Sequence, residues 1–356
     1  MFRLLGLTRK KTVANQWSKG VVLLLHGFSK DAYTWFDHRR GDVSKPFLPS
    51  QLFERGYDVW IGNYRGTRYS ITHKDWDPID DNLEARYYFD YTATEIAKKD
   101  IPAMVKLIMD TQALQKLKTG ISCKKINFIG HSHGAAVMLA SMSYTVKSDR
   151  YVSQMIGIEP CLISAPDNYY PDLDDNDYLG FALAADLLQI YSVFGVNWPE
   201  QVDLICQIQG EDSSECIGLK ATDVASFPDN AWGSGECGVK HVKHMGQNYL
   251  YNQFQEYQEW WPLKKNRRDF YLQHMSNKIP VKGIFSNQDG LCPADKQMHY
   301  WNKIPNRGEY VYIDGVHGDQ VGRQDDEFME ILDRLLKGND NKPVISGNCD
   351  RNWGWY

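Results

Sequence analysis

No apolar run approaches the roughly 18 residues that a membrane-crossing helix needs. Val21-Val22-Leu23-Leu24-Leu25 is far too short for that and fits a buried strand. No basic block or stripe stands out and the net charge is −5, so nothing points to a nucleic-acid partner. The seven cysteines, Cys123, Cys161, Cys206, Cys216, Cys237, Cys292 and Cys349, are too few and too scattered for a disulfide scaffold or a zinc site. Cys206 and Cys216 could close a small loop; reduced, partly buried thiols are the alternative. No Asn-x-Ser/Thr acceptor occurs, which weakens a secreted assignment. The Met1–Lys11 stretch is a poor secretory signal, because its apolar part is short and its charges follow rather than precede it. The absence of acidic residues before Asp31 leaves an organelle-targeting reading open. Internal repeats and low-complexity segments are absent as well.

What is present is an ordinary globular balance: 356 residues, 42% hydrophobic and 24% charged, enough for one large domain with insertions or two smaller ones. The 11 Trp and 21 Tyr fit a large core or an apolar or carbohydrate-contacting cleft, and composition does not choose. Val21–Leu25 reads as a strand buried on both faces, residues 47–55 as a short helix and Tyr57–Ile61 as the next strand. Helical spacing runs from Thr92 to Met109, with Pro102 predicting a break or a helix start near Asp100. Strand-like Ile126–Ile129 precedes a helix at Gly134–Tyr144, and Met155–Ile158 opens another strand. From about Asp167 to Trp261 the alternation stops, with helical stretches expected at Phe181–Ile190 and Tyr249–Trp260. Strands resume at Pro280–Phe285 and Tyr310–Ile313, and Glu327–Leu336 forms a final amphipathic helix. Alternation, interruption and alternation predict an α/β fold, a mostly parallel doubly wound sheet with an inserted, mainly helical cap.

The chemistry centres on Gly130-His131-Ser132-His133-Gly134, set between a strand and a helix. A Gly-x-Ser-x-Gly pentapeptide in that setting is the nucleophile elbow of α/β-hydrolases. A serine hydroxyl attacks well only when it is exposed at a sharp turn and handed to a base, and small flanking residues let strand and helix approach. The base and its orienting acid follow in the order acid, then histidine. Asp289 lies just beyond the strand ending at Phe285-Ser286, and His317 just beyond the strand ending at Ile313. Loops beyond the carboxyl ends of parallel strands converge on the elbow's edge. Asp289 alone would read as a turn aspartate before Gly290; its pairing with His317 favours the acid. Asp314 and Asp319 are weaker substitutes, lying too close in sequence to the histidine. Backbone N–H groups of Phe28, after the first buried strand, and His133, after the serine, are the candidate oxyanion donors. His131 and His133 lack further ligands at metal-site spacing, so no metal is expected.

With these residues the chain resembles the acid lipase family of gastric and lysosomal lipases. Leu24-Leu25-His26-Gly27-Phe28 and Tyr33-Thr34-Trp35 are similar to the family's His-Gly loop and its downstream Trp. Gly56 through Ser70 resembles the family signature over its whole length, and Phe89 through Ala103 the segment leading into the next helix. Gly238-Val239-Lys240-His241 through His244 and Gln247 resembles the end of the family's cap. The likeness covers about Val21 to Lys337 and is thinner from Asp167 to Trp232. It implies Ser132 as nucleophile, Asp289 as acid, His317 as base, and Phe28 and His133 as oxyanion donors. Two departures stand out. The family usually has Gln where His133 stands, and it usually begins with a signal peptide and earlier strands, whereas Met1–Leu5 looks like the end of an internal strand.

The expectation is a serine hydrolase of lipid esters, triacylglycerols or steryl esters, needing no cofactor and meeting its substrate at a lipid interface. A small-ester carboxylesterase or thioesterase, and a non-catalytic scaffold subunit, are the alternatives. Expected divisions are 1–164 and 263–337 as the two parts of the core, 165–262 as the cap and 338–356 as a tail. A partner could complete the N-terminal sheet edge. The resemblance implies a secreted or lysosomal protein; the weak N-terminal signal leaves an intracellular or organellar reading open, and nothing indicates an oligomeric state.

Overall fold

The computed structural model describes residues 2–3, 19–36, 45–67, 69–78, 82–120, 122–165, 190–193, 237–259, 267–321 and 325–337. The strands are β1 (Phe2–Arg3), β2 (Gly20–Leu25), β3 (Tyr57–Gly62), β4 (Ile126–His131), β5 (Val152–Ile158), β6 (Ser192–Val193), β7 (Cys237–Gly238), β8 (Val281–Ser286) and β9 (Arg307–Ile313). Seven of them form one sheet in the order β1-β3-β2-β4-β5-β8-β9. All neighbours run parallel except β1, which pairs antiparallel with β3 at one edge. The helices of seven or more residues are α1 (Leu48–Glu54), α2 (Asn82–Tyr88), α3 (Ile101–Thr119), α4 (His133–Ser143), α5 (Val239–Leu250), α6 (Ala294–Trp301) and α7 (Asp326–Leu336).

The doubly wound arrangement follows from side-chain alternation along continuous apolar strands. All six β2 residues are buried. Val21, Leu23 and Leu25 pack on one face with Ile101, Val105 and Ile108 of α3 and with α4. Val22 and Leu24 pack on the other with Leu48 and Leu52 of α1 and Phe328, Leu332 and Leu335 of α7. Each such Leu contributes roughly 1.5–3 kcal/mol relative to exposure. Helix α4 is buried along its whole length, as an Ala-rich helix without a polar face must be. Helix α7 is amphipathic as predicted, and Asp325 caps it by accepting from the Phe328 N–H at 2.9 Å.

One local reading is refined and one changes. The break or helix start expected near Asp100 is a π turn, Ile96–Asp100, after which α3 begins at Ile101. There the Ile101 N–H reaches the Ile96 carbonyl, so Pro102 enters in the first turn of α3, where its missing donor is harmless. The helix expected at Tyr249–Trp260 does not continue past Leu250 within the described residues: α5 ends there, Asn252 turns the chain with φ 48°, and Gln255 bridges to Asp269. Tertiary packing decides this, because the Phe254 ring sits 4.6 Å from that of Phe270 on the extended segment. The short helices α2 and α6 carry too few apolar repeats to stand out in sequence. Of Phe181–Ile190 only Ile190 lies within the described residues; Cys206, Cys216 and the 338–356 tail lie outside them.

Candidate active site

Strand β4 delivers Ser132 to the mouth of α4 in a conformation that L-residues rarely adopt, φ 52° and ψ −124°. Such strain persists only where the surroundings impose it. Here the Ser132 N–H donates to the Ile158 carbonyl at 2.9 Å, and the Ser132 carbonyl accepts from Ala135 at 3.0 Å and Cys161 at 3.2 Å. The flanking glycines are required by contact. A Cβ on Gly130 would lie 2.6 Å from the Ala135 main chain, and one on Gly134 would run into the carbonyl oxygens of Leu25 and His26.

The loops after β8 and β9 meet at this serine. His317 Nε2 lies 2.9 Å from Ser132 Oγ, and His317 Nδ1 lies 2.7 Å from Asp289 Oδ2. The second Asp289 oxygen accepts from the Cys292 N–H at 2.7 Å. The carboxylate therefore fixes the tautomer: Nδ1 carries the proton, and Nε2 faces the hydroxyl as an acceptor. The geometry can draw a proton from Ser132. Asp314 accepts from the Asn287 side chain, and Asp319 accepts from the Val316 N–H at 2.7 Å.

The loop after β2 closes the other side. A Cβ on Gly27 would lie 3.0 Å from His131 Nδ1 and 3.1 Å from Ser132 Cβ, so glycine lets this backbone approach the elbow without crowding its side chains. Tyr64 holds it by donating to the Gly27 carbonyl at 2.6 Å. Phe28 follows, its ring 5.9 Å from that of His133. His133 is the first residue of α4, where backbone N–H groups have no intrahelical acceptor.

Several supporting residues were not anticipated. Glu159, just after β5, is buried beneath the histidine loop and accepts from the Gly318 N–H at 2.7 Å. A Cys161–Cys292 disulfide ties the β5 loop to the Asp289 loop. Gln297 of α6 stitches the same loops, accepting from Leu162 N–H at 2.8 Å and donating to the Ile163 carbonyl at 2.7 Å. His133 and His241 of α5 face each other with Nε2 atoms 2.8 Å apart. Both are buried, and burial foremost, then neighbouring histidines, pushes His133 down to about 3 and His241 well below its ordinary value. A signal for Glu159 existed, since it occupies the same post-strand position as Asp289 and His317. Nothing in the cysteine spacing singled out Cys161 with Cys292.

Asp289, Cys292 and His317 are the group with metal-ligand reach among the described residues. Cys292 sulfur is committed to the disulfide, and the other two bond each other.

A sequence profile of the alpha/beta hydrolase fold matches residues 20–323. The chain is 28% identical over 181 residues to a probable lipase of Schizosaccharomyces pombe, covering 51% of this chain but only 35% of that protein. It is 23% identical over 298 residues to human lysosomal acid lipase/cholesteryl ester hydrolase, covering 80% of this chain and 67% of the relative. Among solved structures it resembles a soluble variant of monoglyceride lipase from Saccharomyces cerevisiae, with TM-score 0.55 and 16% identity over 92% of this chain and 88% of that one. That structural likeness is one of fold.

Proposed function

The chain belongs to the alpha/beta hydrolase fold family, and from that premise we propose that it hydrolyses carboxylic esters of lipids through Ser132, His317 and Asp289. One observation carries the reading: His317 bridges Ser132 and Asp289 with hydrogen bonds of 2.9 and 2.7 Å. The lipases among its relatives support a carboxylic ester hydrolase and a lipid substrate.

Ser132 Oγ attacks the ester carbonyl carbon while its proton passes to His317 Nε2. Asp289 keeps the imidazole oriented and stabilises its positive charge. Backbone N–H groups of Phe28 and His133 receive the oxyanion. The tetrahedral intermediate collapses, the ester C–O bond breaks, and His317 returns the proton to the leaving alkoxide. Water, deprotonated by His317, then attacks the acyl-serine and releases the fatty acid. The 165–262 cap expected from the sequence lies largely outside the described residues. The Cys161–Cys292 disulfide supports folding in an oxidising, secretory compartment rather than the cytosol.

The test is turnover of an acyl chain-length series together with emulsified triacylglycerol and steryl ester. Hydrolysis of the emulsified long-chain esters, lost in Ser132→Ala, is expected. Turnover of short esters alone contradicts the lipid assignment, and no turnover of any ester leaves a non-catalytic scaffold.

A further inference from the structure

The buried carboxylate of Glu159 has a part in this site that neither the fold nor the Ser-His-Asp arrangement requires. Its residue sits in the left-handed region at φ 47°, a costly place for a glutamate, held by an N–H donated to the Ile284 carbonyl at 2.7 Å. Four donors converge on its two oxygens. Oε1 accepts from Ser286 Oγ at 2.5 Å and from the Gln320 N–H at 3.5 Å; Oε2 accepts from the Gly318 N–H at 2.7 Å and from His131 Nε2 at 3.2 Å. An oxygen pair met only by donors is an ionised carboxylate. Burial alone would push this carboxyl up, but the His131 hydrogen bond, the electrostatic influence of His131 and His317, and the Ser286 hydrogen bond together hold it below its ordinary value. Burial, the leading cause, lowers the His131 imidazole from its ordinary value even beside this carboxylate.

Two of those donors lead to His317. Gly318 is its chain neighbour, and the His131 ring lies 5.5 Å from the His317 ring. We propose that Glu159 is a positioning residue for His317: its carboxylate anchors the base-bearing loop at Gly318, and its negative charge supports the imidazolium formed when Ser132 gives up its proton. The inference rests on the serine hydrolase reading above. Other ionisable groups around His317 are Asp289 from the β8 loop, His131 from β4, and Asp314 and Asp319 from its own turn. Asp289 orients the ring through Nδ1, so Glu159 supplies a second fixed negative charge beneath it.

Glu159→Gln separates charge from anchoring. The amide oxygen can still accept from Gly318, and the amide nitrogen can donate to Ser286, so the loop stays tied while the charge is gone. Removing a nearby anion destabilises the imidazolium and lowers the pH at which His317 becomes a free base. The full chain is followed by fluorophosphonate inactivation and by kcat and KM on a soluble ester across the acidic and neutral range. In Glu159→Gln the acid limb is expected to move down by about half a pH unit or more, with kcat reduced and KM unchanged. A folded Glu159→Gln with wild-type limb and kcat overturns the proposal. Where Glu159→Gln does not fold, Glu159→Asp decides, because it keeps the charge and shortens the reach. A wild-type limb with kcat lowered about ten-fold or more supports the proposal, and a wild-type kcat overturns it. If wild type itself is not labelled, the hydrolase reading fails and takes this inference with it.

Discussion

His133 and His241 meet nitrogen to nitrogen, with Nε2 atoms 2.8 Å apart and both rings buried. Such a contact holds only if one nitrogen carries a proton and the other does not, so charging both rings breaks it. Among the described residues their Nδ1 atoms have no hydrogen-bond partner, and burial and neighbouring histidines, not carboxylates, set their pKa values.

Acid lability follows. Burial, ahead of all other causes, brings His26, His133 and His244 down to about 3 from 6.5. Between those values the unfolded chain binds protons that the folded chain refuses, so stability falls as pH drops below 6.5. Each histidine contributes a loss of about 1.4 kcal/mol per pH unit in that window. Denaturant midpoints measured from neutral to mildly acidic pH should fall steeply, and His133→Gln should flatten the slope. A midpoint independent of pH contradicts the buried neutral histidines.

Asp289→Asn removes the charge beside His317 Nδ1 and admits the wrong tautomer. Turnover should fall by about 10³–10⁴ with the protein still folded. Asp314→Asn should leave turnover near wild type, since Asp314 is exposed and hydrogen-bonded by Asn287. Steady-state kinetics with circular dichroism on both variants check this, and the reverse pattern reassigns the acid.

Reducing the Cys161–Cys292 disulfide releases a loop spanning 131 residues of separation. Chain entropy places the loss of stability at about 3–5 kcal/mol. The site suffers too, because the Cys292 N–H holds Asp289 Oδ1. Thermal melts and kcat should both drop in reductant and in Cys161→Ser; unchanged values would detach the disulfide from the acid loop.

Gly134→Ala drives a methyl group into the Leu25 and His26 carbonyls, where main chain cannot yield cheaply. A loss of about 3 kcal/mol or more, with most activity, is expected. Gly120→Ala meets nothing within 4 Å and carries only its φ of 74°, a cost of about 1–2 kcal/mol. Similar melting points for the two variants would contradict the close packing at the elbow.

The sheet was legible because β2, β3 and β4 are short apolar runs ended by glycine or the elbow, and the post-strand rule led to Asp289 and His317. That same rule reaches Glu159, but a lone glutamate before Pro160 has no partner visible in sequence; its role depends on Gly318 and Ser286 arriving from distant strands. The Cys161–Cys292 disulfide is hidden in the sequence for the same reason, its cysteines lying 131 positions apart. The helix expected at Tyr249–Trp260 failed because Phe254 and Tyr257 keep a helical spacing while the chain there is extended. Hydrophobic spacing states which residues are buried, not which backbone buries them.

The most direct test is fluorophosphonate labelling of the intact chain with the modified peptide identified by mass spectrometry. A single adduct on Ser132, abolished in Ser132→Ala and strongly slowed in His317→Ala, is predicted. An unlabelled chain, or an adduct on another serine, would contradict the account at its centre.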